Sequence, residues 1–219
     1  MSRCPLCGGV ECPPEAIVQG RRYAACGGCG LTFMLPADRP SPTEERAIYD
    51  LHRNDPTDPG YRAFLERLAA PLAARLRPGM RGLDYGAGPG AALPAMLSAR
   101  GLPTSAWDPL YAADERLLRR RYHFIACSET AEHFHDPAAE FARLGDLLLD
   151  GGWLGLMTQW RLPGRPFASW GYARDPTHVC FYRRRTLRWI AGRHGWSLEC
   201  PAPHIALFRK PPAALSPCG

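Results

Sequence analysis

The nine cysteines of the 219-residue chain fall into two groups. Five lie between Cys4 and Cys29, four of them as Cys4-Pro-Leu-Cys7-Gly and Cys26-Gly-Gly-Cys29-Gly, two CxxC-Gly elements separated by the stretch 8–25. Each CxxC turn presents two sulfurs to one ion, and the glycine after the second Cys permits the left-handed backbone that frees amides to bond the thiolates. Two such turns complete a tetrahedral four-thiolate shell with no open position. The spacing therefore predicts one structural zinc on Cys4, Cys7, Cys26 and Cys29. Cys12 is left over and is expected to ligate nothing. No thioredoxin-like βαβ pattern surrounds either pair, which disfavours a redox role. Cys127, Cys180, Cys200 and Cys218 are scattered, as packing residues are.

A second constellation is Glu129-Thr-Ala-Glu132-His133, with His178 further on in Asp175-Pro-Thr-His-Val-Cys-Phe-Tyr182. On a helix, positions i, i+3 and i+4 share one face, so Glu129, Glu132 and His133 can point together. Two carboxylates and two imidazoles suit a hard or borderline divalent ion such as Mg²⁺, Mn²⁺ or Fe²⁺. The alternative stays open: Glu129 placed against a helix dipole, His178 packed in the core, and His133 or His178 acting as a general base, with Glu132 beside them.

The third is a glycine loop, Asp84-Tyr-Gly86-Ala-Gly88-Pro-Gly90. Glycines let backbone approach a ligand where any side chain would collide. The spacing is GxGxG rather than the dinucleotide fingerprint GxGxxG. Asp84, directly ahead of the loop, suits a cationic amino group and would repel a pyrophosphate. Asp108 is placed to accept from two ribose hydroxyls. Together these features favour S-adenosylmethionine over NAD(P), and a methyltransferase over an oxidoreductase.

Elements must hold these groups in place. A strand over 80–84 feeds the glycine loop and a helix over 91–100, the first βα unit of a doubly wound sheet, whose ligands sit at the carboxyl ends of its strands. A second strand over 103–107 ends in Asp108. A strand from His123 ends at Cys127 and Ser128, and the Glu/His helix is expected to start after it. A helix over 137–149, a turn at Asp150-Gly-Gly, a strand over 153–158, a helix over 186–193 and a hairpin over 196–209 complete the pattern. Ahead of the sheet, an amphipathic helix over 61–76 carries Phe64, Leu65, Leu68, Leu72 and Leu76 at helical spacing. The division predicted is a zinc ribbon over 1–36 with a hairpin in 16–23, a proline-rich linker over 37–60 with a short helix near 44–51, an α/β domain over 61–210 and a tail over 211–219.

The stretch Gly82-Leu-Asp-Tyr-Gly-Ala-Gly-Pro-Gly90, then Trp107-Asp108-Pro109, then His123 to His133 resembles the class I S-adenosylmethionine-dependent methyltransferases, and especially the branch of ubiquinone-pathway O-methyltransferases. The resemblance spans about residues 61–210. It implies a Rossmann-like α/β sheet with an antiparallel last strand. It also implies a cofactor site at Asp84, Gly86, Gly88, Gly90 and Asp108, with Cys127 and Ser128 touching the methionine end through backbone. The ExxEH element with a distant His is further similar to metal-dependent O-methyltransferases, in which a metal chelates two adjacent hydroxyls of a ribose or catechol. One departure stands out. The stretch 109–122, between Asp108 and His123, is too short for the family's third strand, its helix and its acidic adenine contact. That unit must be shortened or missing.

Composition narrows the function classes. The length suits one medium α/β domain with a small appendage. No apolar run reaches the ~18–20 residues that span a bilayer, and the first residues lack the pattern of a signal peptide, so the expectation is a cytoplasmic protein with no membrane partner. The net charge is +6, with arginine runs at 119–121 and 183–185. Such runs could face RNA or an acidic substrate, or form solvated helix faces. The expected activity is O-methylation of a small molecule or a ribose hydroxyl. The competing role is a nucleic-acid-binding module on a degenerate methyltransferase scaffold. Trp170 and Tyr172, in the loop over 160–174, are placed either to stack a flat acceptor or to pack the loop.

Overall fold

In a computed structural model, residues 2–51, 54–161, 164 and 166–213 are described. Cys218, most of the expected tail, and residues 162, 163 and 165 of the acceptor-side loop lie outside them. In chain order the elements are β1 (Pro14–Val18), β2 (Arg21–Ala25), β3 (Thr32–Met34), α1 (Pro42–Tyr49), α2 (Pro59–Ala73), β4 (Gly82–Tyr85), α3 (Ala92–Ser98), β5 (Thr104–Trp107), β6 (Tyr122–Ser128), α4 (Pro137–Leu147), β7 (Leu148–Met157), β8 (Cys180–Phe181), α5 (Arg184–His194), β9 (Ser197–Ala202) and β10 (Ile205–Arg209).

Six strands form the main sheet in the order β5-β4-β6-β7-β10-β9. β4 pairs in parallel with β5 and β6, and β6 with β7, whereas β10 lies antiparallel between β7 and β9. This is the Rossmann-like methyltransferase sheet with its antiparallel close. Among the described residues no strand lies outside β5, so the third βα unit is absent. A bridge between Asp108 and Ala112 and a 3-10 turn at Leu117–Arg119 fill its place.

Local chemistry explains the helix starts. Ser41 and Glu44 form a capping box at α1, while Asp58 and Asp136 cap α2 and α4, and each helix has proline at its start. Leu65, Leu68 and Leu72 of α2 are buried as their spacing requires, and Phe141, Leu144 and Leu147 of α4 cover the other face of the sheet. The expected turn at Asp150-Gly151-Gly152 lies within β7, where the register with β6 shifts between Tyr122 and Phe124 and Gly151 takes φ +77°.

The cysteine-bearing hairpin is joined to this body by more than its linker. β1, β2 and β3 form a small antiparallel sheet whose fourth strand is β8, from the far end of the chain. Tyr23 of β2 meets Phe167 and Phe181 edge-on, at 5.0 and 5.7 Å between ring centroids. One apolar cluster runs unbroken from Leu6 and Phe33 to Ile125 and Leu154.

Candidate functional site

The two CxxC turns face each other. Cys4 Sγ lies 3.5 Å from Cys29 Sγ, and Cys7 Sγ 3.4 Å from Cys26 Sγ. All four sulfurs lie within 4.8 Å of one another. The edge of a tetrahedron with ~2.3 Å metal–sulfur bonds is about 3.8 Å, so the cluster could close on one zinc ion with small adjustment. Amides of Leu6 and Cys7 approach Cys4, that of Gly9 Cys7, and that of Leu31 Cys29, and Cys4 is drawn down to about 5, first by the Cys29 thiol. Gly8 and Gly30 hold φ +72° and +81°, as the turns require. Cys12 turns its thiol to the Gly9 carbonyl, 3.4 Å away.

At the carboxyl ends of β4, β5 and β6 opens a cavity of about 830 Å³. Its floor is the glycine loop. Gly86 has φ +80°, and a Cβ there would stand 2.2 Å from Thr130 Cγ2, so the fold itself demands glycine. Gly88 has φ +63°, and a Cβ there would meet nothing within 4 Å, because it would project into open space. Gly90 was expected at the cofactor but does not line the cavity; a Cβ there would stand 2.3 Å from the Asn54 carbonyl oxygen. Its missing side chain makes room for the segment after α1. Cys127 is fully buried and does not line the cavity, while Ser128 does.

Two carboxylates face the loop. Asp108 accepts from the amides of Gly88 (2.9 Å), Leu110 (2.9 Å) and Tyr111 (3.1 Å). Three of the roughly four acceptor positions of a carboxylate are thus filled, leaving about one for a ligand. Asp84 is buried, and that burial, followed by the Asp108 charge, raises it to about 7. No cation among the described residues draws it back.

The far end of the cavity holds the Glu/His constellation, built differently from the expected helix. Glu129 takes φ +47°, and the chain then makes only a 3-10 turn at Ala131–His133 before α4. Glu129 therefore leaves the face that Glu132 and His133 share. Ligand atoms of Glu132, His133 and His178 lie within 4.8 Å of one another, whereas Glu129 is outside that set. It reaches Glu132 through Tyr172, whose hydroxyl donates to Glu132 and lies 3.3 Å from Glu129 Oε2. Burial, then the Glu132 charge, pushes Glu129 up to about 8; burial likewise raises Glu132 and lowers His178.

His178 is carried in by backbone pairing. The Val179 amide donates to the Glu132 carbonyl (2.8 Å) and the Tyr182 hydroxyl to the Ala131 carbonyl (2.9 Å), while the Met34 amide of β3 takes the Val179 carbonyl (2.9 Å). Tyr172 thus contributes to the polar site, and its ring also tilts 32° from that of Trp170 at 5.2 Å.

Sequence reasoning missed two features. Pro42, Glu45 and Tyr49 of α1 line the cavity, so the proline-rich segment covers the site. His135 Nε2 to Glu45 (2.6 Å) and the Tyr111 hydroxyl to Asp50 (2.6 Å) tie it down. The second is the use of the run at 183–185. Arg183 pairs with Glu15, Arg184 lies over the Trp160 ring, and Arg185 donates to the carbonyls of Gly27 and Gly28. This run docks the hairpin, whereas residues 119–121 are exposed.

A methyltransferase-domain family profile matches residues 57–200. The chain belongs to this methyltransferase family. Its family is one of enzymes of methyl transfer. The fold is similar to that of the 1,6-didemethyltoxoflavin-N1-methyltransferase of Burkholderia thailandensis, solved with 1,6-didemethyltoxoflavin and S-adenosylhomocysteine, at TM-score 0.57 and 17% identity over 90% of this chain and 99% of that one. It is also similar to the sugar N-methyltransferase KedS8 of Streptoalloteichus sp., at TM-score 0.52 and 14% identity over 76% of this chain and 92% of that one. No curated protein sequence matches the chain. Among the described residues no helix is long and apolar enough to cross a membrane.

Proposed function

We propose that this methyltransferase acts on a hydroxyl of a small-molecule acceptor, held at the Glu132–His133–His178 end of the cavity, with S-adenosylmethionine on the glycine loop. The observation that carries this is the two-ended cavity: a glycine floor flanked by Asp84 and Asp108 at one end, and titratable Glu and His side chains at the other. The donor supplies a methyl group on a sulfonium sulfur. The chain supplies the rest. Asp84, buried without a cation, fits the donor's ammonium; Asp108, braced by three amides, fits a ribose hydroxyl; the vacant space over Gly88 fits backbone approach to the methionine portion, beside Ser128. Transfer to an oxygen is mainly a matter of alignment and of removing one proton. His133 and His178 are the candidate bases, with Glu132 orienting them.

About 830 Å³ accommodates a nucleoside-sized donor and a small acceptor beneath a covering helix. The docked run at 183–185 weighs against a nucleic-acid-binding module, because those charges are already engaged within the chain. A ubiquinone-like phenol or a sugar hydroxyl falls within the proposed acceptor class. The Cys4, Cys7, Cys26, Cys29 cluster is proposed to hold one structural zinc. Calorimetry with S-adenosylhomocysteine tests the donor end. Mass spectrometry of hydroxyl-bearing compounds incubated with isotopically labelled donor tests the acceptor end. Absence of homocysteine-cofactor binding, or label found on amines alone, would overturn the proposal.

A further inference from the structure

The charge that lines the cavity opposes the charge of the chain. The net charge is +6, yet among the described residues the cavity is lined by eight carboxylates, one guanidinium (Arg143) and no lysine. A cleft of one sign focuses its field between low-dielectric walls and selects ligands of the other sign.

Six of the eight are accounted for. Asp84 and Asp108 belong to the donor end. Glu140 pairs with Arg143 at 3.0 Å, Glu45 meets His135 at 2.6 Å, Asp136 caps α4, and Asp175 accepts from the Thr177 amide (2.9 Å) and hydroxyl (2.6 Å). Glu129 and Glu132 remain, and among the described residues neither has a Lys or Arg partner within ion-pair distance. Arg67, whose charge reaches Glu129, is exposed and turns its guanidinium to the Pro203 carbonyl, 3.4 Å away. Glu132 is completely buried; one of its oxygens accepts from Tyr172, and the other, Oε2, has no hydrogen-bond partner among the described residues. A buried carboxylate oxygen left unmatched is costly. Both carboxylates meet the same Tyr172 hydroxyl, so they stand close enough to share one further partner, and the phenol has a single proton to give. The missing complement is a positive charge that carries hydrogen-bond donors. The donor's sulfonium has no N–H to offer and loses its charge when the methyl leaves.

We propose that the acceptor is a cation, whose protonated amine sits between Glu129 and Glu132 while its hydroxyl turns to His178. This rests on the proposed function and narrows its acceptor class. A Glu132 oxygen and a His178 ring nitrogen lie within 4.8 Å of each other, so a compact amino alcohol or amino sugar spans both. An ammonium offers three N–H donors, enough for both carboxylates, and charge-assisted bonds of this kind are the strong ones. The same charges repel a carboxylated or phosphorylated acceptor. In the transfer, a lone pair of the hydroxyl oxygen takes the methyl carbon, the S–C bonding pair stays with sulfur, and the hydroxyl proton passes to the imidazole. The amine keeps its protons throughout, because two carboxylates beside it favour its charged form.

The test is the affinity of the full chain, loaded with S-adenosylhomocysteine, for three probes of one size: a vicinal aminocyclohexanol, the matching diol and the matching hydroxy acid. The aminocyclohexanol should bind about 10-fold or more tightly than the diol, the scale of hydrogen bonds to charged groups, and the hydroxy acid should bind most weakly. Glu132→Gln keeps the shape and removes the charge. It should bring the amine down to the affinity of the diol, with diol and S-adenosylhomocysteine binding unchanged, whereas a merely structural role would weaken amine and diol alike. Should that variant fail to fold, Glu129→Gln carries the same expectation. Equal binding of amine and diol, a preference for the hydroxy acid, no binding of the amine, or a preference that survives both substitutions overturns the cation seat. Amine selectivity without homocysteine-cofactor binding, or with labelled methyl delivered to nitrogen, refutes the proposed function alone.

Discussion

Replacing Asp84 by Asn should stabilise the ligand-free protein at neutral pH while weakening it as an enzyme. Burial raises this carboxyl from 3.8 to about 7. A folded-state value above the unfolded one means that, between those two values, the folded chain holds a proton the unfolded chain has released. Stability therefore falls as pH rises through this window and levels off above about 7. Each tenfold change in proton activity across the window is worth ~1.4 kcal/mol. Raising the pH from 5 to 8.5 crosses about two pH units of it, so Asp84 should cost the free protein about 2.5 kcal/mol over that range. Asn has no charge to desolvate and should lack the decline. The measurement is urea denaturation of both proteins, without ligand, at pH 5, 7 and 8.5; the difference between them isolates Asp84 from every other titrating group. Adding S-adenosylhomocysteine reverses the ranking. Its ammonium selects ionised Asp84, so affinity of the natural protein should climb with pH through about 7, and that climb should vanish in the variant. Parallel stability curves, or equal affinity at pH 8.5, would refute the role given to this carboxylate.

Three further outcomes follow from the geometry. Gly86→Ala should unfold the loop, because its Cβ collides with Thr130, whereas Gly88→Ala should cost only the ~1 kcal/mol of a strained left-handed residue yet impair cofactor binding; melting curves beside calorimetry separate the two. Metal analysis should find one zinc per chain, lost in the Cys26→Ser, Cys29→Ser double variant; its removal should also raise hydrogen exchange at Val179 to Phe181, which pair with or flank β3. Tyr172→Phe removes the hydroxyl that donates to Glu132 Oε1 and should destabilise by about 1 to 3 kcal/mol, the cost of an unmatched buried acceptor, and raise the acceptor KM without altering cofactor affinity.

What was legible in the sequence was local. The glycine loop, the periodic leucines of α2, the proline-led helix starts and the short gap after Asp108 each act over a short span, and the sheet order and missing third unit follow from them. The CxxC spacing is local too, and the four sulfurs meet. Three features were illegible, each for a physical reason. Glu129 was placed on a helix because i, i+3, i+4 spacing is all that sequence offers. The φ of +47° that breaks the helix is imposed where the chain leaves β6, with the Glu129 amide bonded to the Met157 carbonyl of β7. The arginines at 183–185 looked like a surface, since the carbonyls that Arg185 binds belong to Gly27 and Gly28, near the other end of the chain. The proline-rich segment looked like a spacer, because nothing in its composition shows that α1 lies over a cavity.

These long-range features have a common consequence. Among the described residues, the loop that ends at His178 holds no regular structure longer than a 3-10 turn, an unpromising support for a residue that must meet Glu132 and His133 closely. Besides the Val179–Glu132 and Tyr182–Ala131 bonds, three contacts with the cysteine hairpin hold that loop in place. β3 pairs with β8 just beyond His178; Arg21 donates to the Arg174 carbonyl at 2.9 Å; and Glu15 pairs with Arg161 where the loop begins. A small sheet cannot supply such rigidity from a hydrophobic core of its own, because a unit below about 40 residues buries too little apolar surface. A metal centre can, since its binding free energy serves as folding free energy. The four cysteines lie away from the cavity that the methyl group must cross. On the proposed function, with one zinc on the four cysteines and the acceptor beside His178, their contribution is the stiffness they lend, through β3, to the segment that carries His178.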